Sequence, residues 1–248
     1  MNYTRFRALL IDIDDTIVRM KRGVTLATSQ HADHWSGSLL EVMQIAGEQL
    51  GGLPATEVAE RIARTKKEVR WWQMADFIKA LGLDSDRFWQ FAFETEVSYL
   101  EPTGSEIEPA LERLRSAGIK LYITSNNPNT SILHKLRLAG IRDTSLFVQL
   151  LGASELRAMK WEPVFWEKAL AHVGLEAREV AVVGDNPRDD YEVPRDAGLT
   201  HSFLIDRSRD RSAENSAAVT YVRDFSKIAD CLLGVVSGKK PESQSGIA

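Results

Sequence analysis

Near the start of the chain stands the run Ala8-Leu9-Leu10-Ile11-Asp12-Ile13-Asp14-Asp15-Thr16, and its reading decides the fold. Four aliphatic residues without polar alternation suit a strand buried on both faces, as in a parallel sheet covered by helices. Asp12 then stands at the strand's carboxyl end, the edge where open α/β sheets bind ligands. Acids crowded at such an edge repel one another, and holding them ionised together calls for a cation. Taken alone, the stretch reads better as a solvated acidic turn. Three later stretches change that reading, because each closes an apolar run with a residue the same chemistry needs.

Between the first stretch and those three, from Ile17 to Glu101, the pattern is helical. Leu39, Leu40, Met43, Ala46, Gly47 and Leu50 form one apolar face, closed by Gly51-Gly52 and Pro54. Thr56 is expected to cap a second helix, in which Val58, Ile62, Val69, Trp72 and Ile78 recur until Leu81-Gly82. Asp84 or Ser85 starts a third, rich in aromatics, which Glu101-Pro102-Thr103-Gly104 ends.

From there strands and helices alternate as in βαβ units. Helix is expected over 106–117, strand over 119–123, helix over 130–139 and an apolar segment over 146–151. A helix with Pro163 in its first turn follows, then strands over 180–183, 201–205 and 219–222 and a closing helix over 226–236. Residues 207–217 read as an exposed loop and 237–248 as a disordered tail. The expected architecture is a Rossmann-like α/β core, a parallel sheet flanked by helices, from residues 1–16 and 102–236. A helical cap over 17–101 is inserted at the carboxyl end of the first strand, above the site.

Composition narrows the function. The chain has 248 residues, 44% of them hydrophobic, which suits one large α/β core with an appendage. Lysine plus arginine number 31 against 35 acids, a net charge of −4, so nucleic acid is not the expected partner. The single cysteine, Cys231, excludes an intrachain disulfide and reads as a small apolar residue of a late helix. The start lacks a signal-peptide layout and no apolar run reaches membrane-helix length, so a soluble cytoplasmic protein is expected.

The strand ends carry a coherent chemistry. Asp12 as a nucleophile attacking a phosphoryl group would form an acyl-phosphate that water later splits. A second carboxyl must protonate the leaving oxygen and deprotonate that water, and Asp14 stands where the chain leaves the strand's alternation. Ser125, closing the second strand in the run Thr124-Ser125-Asn126-Asn127-Pro128, offers donors together with the N–H groups after it. Lys160 offers a charge for the transferred group. Asp12 and Asp185, of the run Gly184-Asp185-Asn186-Pro187-Arg188-Asp189-Asp190, would hold a hard divalent cation, most naturally Mg2+.

These residues resemble the motifs of the haloacid dehalogenase (HAD) superfamily of phosphohydrolases. Asp12-Ile13-Asp14-Asp15-Thr16 matches its Asp-x-Asp-x-Thr motif, Ser125 (less well Thr124) its hydroxyl residue, Lys160 its lysine, and Gly184-Asp185 with Asp190 its last motif. The resemblance implies that Asp12 is nucleophile and metal ligand. Asp14 is the acid/base and a metal ligand through its main-chain carbonyl. Ser125 and Lys160 bind the phosphoryl group, with Asn126 a further substrate-binding candidate. Asp185 is a metal ligand, and Asp189 or Asp190 is a further ligand or a partner of the ligands. Trp161 stands where many relatives have proline after the lysine, and Lys168, inside a helix, fits that motif less well. Asp189 stands where asparagine is common.

Asp14 points to phosphoryl transfer, because dehalogenase members lack that second aspartate. The expected activity is a Mg2+-dependent phosphatase acting on a small phosphorylated substrate. A sugar phosphomutase, a phospho-accepting receiver-like binding module and a non-catalytic HAD-like scaffold are the alternatives. His31, His34 and Trp35 lie where a lid would meet substrate. Trp71-Trp72 and the aromatics from Phe88 to Phe93 read as a helical core rather than a base-stacking cage. The charged helix bearing Arg61, Arg64, Lys66, Lys67 and Arg70 reads as a solvated face, with Glu57 and Arg61 paired across one turn.

Overall fold

The computed structural model describes residues 3, 5–21, 37–207 and 218–234. His31, His34 and Trp35, residues 208–217 and the tail over 237–248 lie outside the described residues.

The first strand, β1 (Ala8–Ile11), pairs in parallel with β4 (Lys120–Ser125) on one side and β6 (Val180–Gly184) on the other. Strands β5 (Gln149–Gly152), β7 (Ser202–Ile205) and β8 (Val219–Val222) complete a six-stranded parallel sheet of order β5-β4-β1-β6-β7-β8. The chain therefore reverses its direction of growth at β1, and the crevice this opens lies at the carboxyl ends of β1, β4 and β6.

The pleat sends alternate residues of β1 to opposite faces. Leu9 and Ile11 pack with helices α5 (Ile107–Ser116), α6 (Asn129–Leu138) and α10 (Phe225–Leu233). Ala8 and Leu10 pack with Phe165, Trp166 and Ala169 of α8 (Pro163–Val173) and with Val193, the first residue of α9 (Val193–Asp196). Burial on both faces explains why the strand reads as an uninterrupted apolar run. Cys231 packs, half-buried and free, against the α10 side.

The region after β1 departs from the expected pattern in three ways. A two-stranded antiparallel ribbon, β2 (Val18–Met20) with β3 (Leu100–Pro102), forms where only helix and turn were expected. Three-residue strands carry too little alternation to be read from sequence. Between them lie α1 (Gly37–Gln49), α2 (Ala55–Glu68), α3 (Met74–Ala80) and α4 (Ser85–Tyr99), packed around Met43, Val58, Phe77 and Phe88. The single helix expected between Thr56 and Leu81 is two, because Val69 turns extended (φ −124, ψ 162) and the chain re-enters helix at Met74. Trp71 sits in that break, its ring stacked on Phe77 at 5.7 Å, so packing rather than local propensity sets the corner. Thr56 does not cap α2; Pro54 precedes the helix without a side-chain bond and Thr56 falls in its first turn. Asp84 caps α4 as expected, accepting from the N–H of Arg87 at 3.0 Å. Arg61 and Glu57 pair across one turn.

A short α7 (Ala153–Leu156) follows β5, and Arg188–Glu192 form a π-helical turn after β6. Among the described residues no helix is long and apolar enough to cross a membrane.

Candidate active site

Local backbone bonding places Asp12 and Asp14 on different sides of the strand end. Asp12 stays in the sheet, its N–H donating to the Val183 carbonyl at 2.8 Å. One residue later the chain coils: the Ile13 carbonyl accepts from the N–H groups of Thr16 at 3.3 Å, Ile17 at 2.8 Å and Val18 at 3.1 Å. Asp15 takes the left-handed conformation (φ 51) that this turn requires, one that aspartate tolerates better than branched residues. Asp14 is thereby turned toward β4 and α6, while Asp12 faces β6 and the Lys160 loop.

Around Asp12 the structure gathers the residues that the motifs point to. The Lys160 ammonium lies 2.5 Å from Asp12 Oδ1 and 2.6 Å from Asp190 Oδ1. Lys160 itself is held at three points. Its N–H donates to Asn126 Oδ1 at 2.7 Å, its carbonyl accepts from the Trp166 indole N–H at 2.8 Å, and its ammonium lies 5.9 Å from the Trp166 ring centroid. Through this bond to its backbone Asn126, also expected at the substrate, ties β4 to the Lys160 loop. Lys168 turns elsewhere, donating to the Leu156 carbonyl at 2.7 Å.

Oxygens of Asp12, Asp185 and Asp190 lie within 4.8 Å of one another. The π-helical turn puts Asp190 there: its N–H donates to the Asn186 carbonyl at 2.8 Å and its Oδ2 accepts from the Asn186 N–H at 3.0 Å. Gly184 makes room, because a Cβ at that position would fall 2.1 Å from the Asp190 carboxyl carbon. Asp190, not Asp189, is the acid of the pair that joins the cluster.

Burial and mutual repulsion govern the charges. Burial, and then the carboxylates of Asp190, Asp185 and Asp14, hold Asp12 well above the usual aspartate range, although Lys160 opposes them. Asp185 is pushed up to about 7 by burial and by Asp190, Asp15 and Asp14. Burial alone would lower Lys160, but Asp12 and Asp190 more than offset it, so its ammonium stays charged. Three carboxylates sharing one ammonium form a hard oxygen donor set short of positive charge, which fits a divalent cation of the Mg2+ type.

Asp14 belongs to a second cluster. Its Oδ1 accepts from the Lys135 ammonium at 2.6 Å and its Oδ2 from the Asn127 amide at 2.5 Å. The Ser125 hydroxyl oxygen, fully buried at the end of β4, accepts from the Asn127 amide at 2.9 Å and from the Asn127 N–H at 3.1 Å. From α4, Glu96 brings Oε1 to 3.9 Å from the same ammonium. Burial drives the Glu96 carboxyl up to about 7 against the pull of Lys135.

Asn127, Lys135 and Glu96 were not among the residues expected from sequence. Asn127 lies inside the quoted run after Thr124, but nothing marks it above its neighbours. Lys135 leaves one trace, a charge on the stripe that α6 buries through Ser131, Ile132 and Leu136.

A cleft of about 390 Å³ opens beside Pro128 and Asn129, between the helical segment (Trp72, Gln73, Trp89) and the α7 residues Ser154 and Glu155. Trp72, expected in the helical core, lines this cleft instead.

The family model for haloacid dehalogenase-like hydrolases matches residues 6–198, and the chain belongs to that family. Two phosphoglycolate phosphatases are similar in sequence. The one from Pasteurella multocida is 28% identical, over 75% of this chain and 80% of its own length. The one from Pectobacterium atrosepticum is 23% identical, over 79% and 78% respectively. A solved HAD phosphatase from Thermococcus onnurineus superposes with a TM-score of 0.61 at 26% identity, covering 92% of this chain and 98% of that one. The family and the phosphatase-named relatives together support a phosphatase.

Proposed function

We propose that this chain is a Mg2+-dependent phosphatase that hydrolyses a small phosphorylated metabolite through an aspartyl-phosphate on Asp12. The observation that carries the reading is the division of two neighbouring carboxyls between two environments. Asp12 is buried among acids against Lys160, whereas Asp14 is part-exposed and held by neutral and cationic donors. Two acids set apart in this way suit a nucleophile and a proton carrier.

In the first step an Asp12 oxygen attacks phosphorus, the bond to the leaving oxygen breaks, and Asp14 delivers its proton to that oxygen, releasing the alcohol. In the second, water attacks the acyl-phosphate, Asp14 takes the water's proton, and inorganic phosphate leaves with Asp12 restored. Lys160, beside Asp12, and the Ser125 hydroxyl, at the end of the neighbouring strand β4, would meet the charge on the phosphoryl oxygens. Mg2+, held by Asp12, Asp185, Asp190 and the Asp14 carbonyl, would neutralise that charge further. Residues 17–101 serve as the cap in this reading, inserted where the chain leaves the strand that carries Asp12.

The test is phosphate release from phosphoglycolate, phosphorylated sugars, nucleotides and 4-nitrophenyl phosphate, with and without Mg2+. Turnover that needs Mg2+ and falls at least about a thousandfold in Asp12→Asn is expected. Conversion of one sugar phosphate isomer into another without phosphate release would favour a mutase instead.

A further inference from the structure

Lys135 has no assigned role in the chemistry above, yet it is an ammonium with no solvent exposure on the apolar stripe of α6. Such a position ordinarily takes leucine or methionine, because a buried charge costs several kcal/mol unless its partners are well placed. Its partners here are specific. The ammonium lies 2.6 Å from Asp14 Oδ1, 3.4 Å from Asn127 Oδ1 and 3.9 Å from Glu96 Oε1. Asn127 donates to the other oxygen of Asp14. The carboxyl of Asp14 is thus gripped at one oxygen by Lys135 of α6 and at the other by Asn127 of the β4–α6 connection, and its plane is fixed.

Glu96 brings the helical segment into the same cluster. It is 1% exposed on α4 and neither carboxyl oxygen has a hydrogen-bond partner. The groups facing it are Lys135 and the His134 ring, whose Nε2 lies 3.8 Å from Oε2 and which stacks on Phe93 at 4.2 Å. Phe93 and Glu96 lie one turn apart on α4, so that turn meets His134 and Lys135 of α6 directly.

We propose that Lys135 is a positioning residue that holds the Asp14 carboxyl in line for proton transfer, and that Glu96 retains the Lys135 ammonium in place when the helical segment is seated. The proposal rests on the phosphatase reading for its kinetic consequence and on geometry alone for its structural one. Carboxyl placement matters most where the leaving oxygen needs a proton, so the effect depends on the ester. For a poor leaving group such as an alkyl alcohol, a displaced Asp14 slows the first step; for 4-nitrophenolate, which departs unprotonated, it does not.

The experiment measures kcat/KM, which reports steps through leaving-group departure, for phosphoglycolate and 4-nitrophenyl phosphate. The proteins compared are the native chain, Lys135→Met, Asp14→Ala and the two combined. Lys135→Met is expected to lower the alkyl ester value by roughly 10- to 100-fold and the aryl ester value by less than about threefold. It should add little in the Asp14→Ala background, since both changes remove one function. Equal loss on both esters, or losses that multiply in the combined variant, would overturn the proposal. Lys135→Met strands two carboxyls, so Lys135→Met/Glu96→Gln is the companion variant that keeps the interface neutral. Its crystal structure is expected to show Asp14 turned away from the Asn127 amide. An Asp14 that keeps its bond to Asn127 there would also overturn the proposal. If the native chain releases no phosphate from any ester, the phosphatase reading fails while this crystallographic arm still decides where Lys135 holds Asp14.

Discussion

Two buried lysines each stand between two carboxylates, and they differ in what the carboxylates belong to. Lys160 bridges Asp12, at the end of β1, and Asp190, in the π-helical turn after β6. Lys135 bridges Asp14, just past β1, and Glu96, which arrives on α4 from outside the sheet. In the first cluster the groups come from the end of β1, the π-helical turn after β6 and the loop before α8, all of the sheet's own connections, and contacts of 2.5 and 2.6 Å result. In the second the Glu96 contact is 3.9 Å and its carboxyl lacks hydrogen bonds. Here the cluster built on the sheet's own connections is tight, whereas the one that takes a carboxylate from the separate helix α4 retains slack.

The largest expected difference follows from breaking the tight cluster. Lys160→Met leaves Asp12 and Asp190 buried without their cation, a change that costs on the order of 3 to 5 kcal/mol. With the phosphoryl charge also unmet, turnover is expected to fall at least about a hundredfold on alkyl and aryl esters alike. Denaturant unfolding and kinetics on both esters test this. A loss confined to the alkyl ester would erase the distinction drawn between the two lysines.

A divalent cation should sharpen the contrast. Asp185 titrates at about 7 rather than at its ordinary 3.8, so between these values the folded chain holds a proton that the unfolded chain has lost. Without a cation, stability therefore falls as pH rises through that window. Excess Mg2+ is expected to raise Tm by about 5 to 10 °C at pH 8 and progressively less below pH 7, where protons compete for the carboxylates. Asp185→Asn should shrink the shift and Glu96→Gln should not. A shift of equal size at pH 5.5 and pH 8 would contradict the assignment of the cluster.

The smallest effect belongs to the slack cluster. Glu96 rises from its ordinary 4.5 to about 7, chiefly through burial, so the folded state is penalised increasingly as pH passes from 4.5 to 7. The penalty reaches on the order of 3 kcal/mol above pH 7. Glu96→Gln removes it but also a counter-charge of Lys135, so a net gain in Tm of roughly 2 to 4 °C at pH 8 and none at pH 4.5 is expected. A variant less stable than the native chain at pH 8 would mean that Glu96 is a full ionic partner of Lys135.

What was legible follows the same division. Asp12, Ser125 and Asp185 each close or follow an unbroken apolar run and Lys160 precedes a helix of period 3.6, and such local patterns place residues before any tertiary contact is known. The parallel sheet followed from runs with no polar alternation, since only burial on both faces permits them. The ribbon β2–β3 and the break at Val69 to Gln73 were not legible, because three-residue strands and a corner set by Trp71 on Phe77 leave no periodic signature.

The sequence by itself determined the strand that carries Asp12, the order of strands and helices after Glu101, and the motif residues at their ends. Those features depend on local periodicity and on residues close along the chain. Only the tertiary structure decided that Asp190 rather than Asp189 joins the carboxylates, that Asn126 tethers Lys160, and that Lys135 and Glu96 meet over Asp14. These depend on the π-helical turn after β6, on Gly184 leaving space for a carboxyl, and on α4 docking against α6. The meeting of Asp190 with Asp12, of Asn126 with Lys160 and of Glu96 with Lys135 each joins residues far apart in the chain, which packing alone brings together.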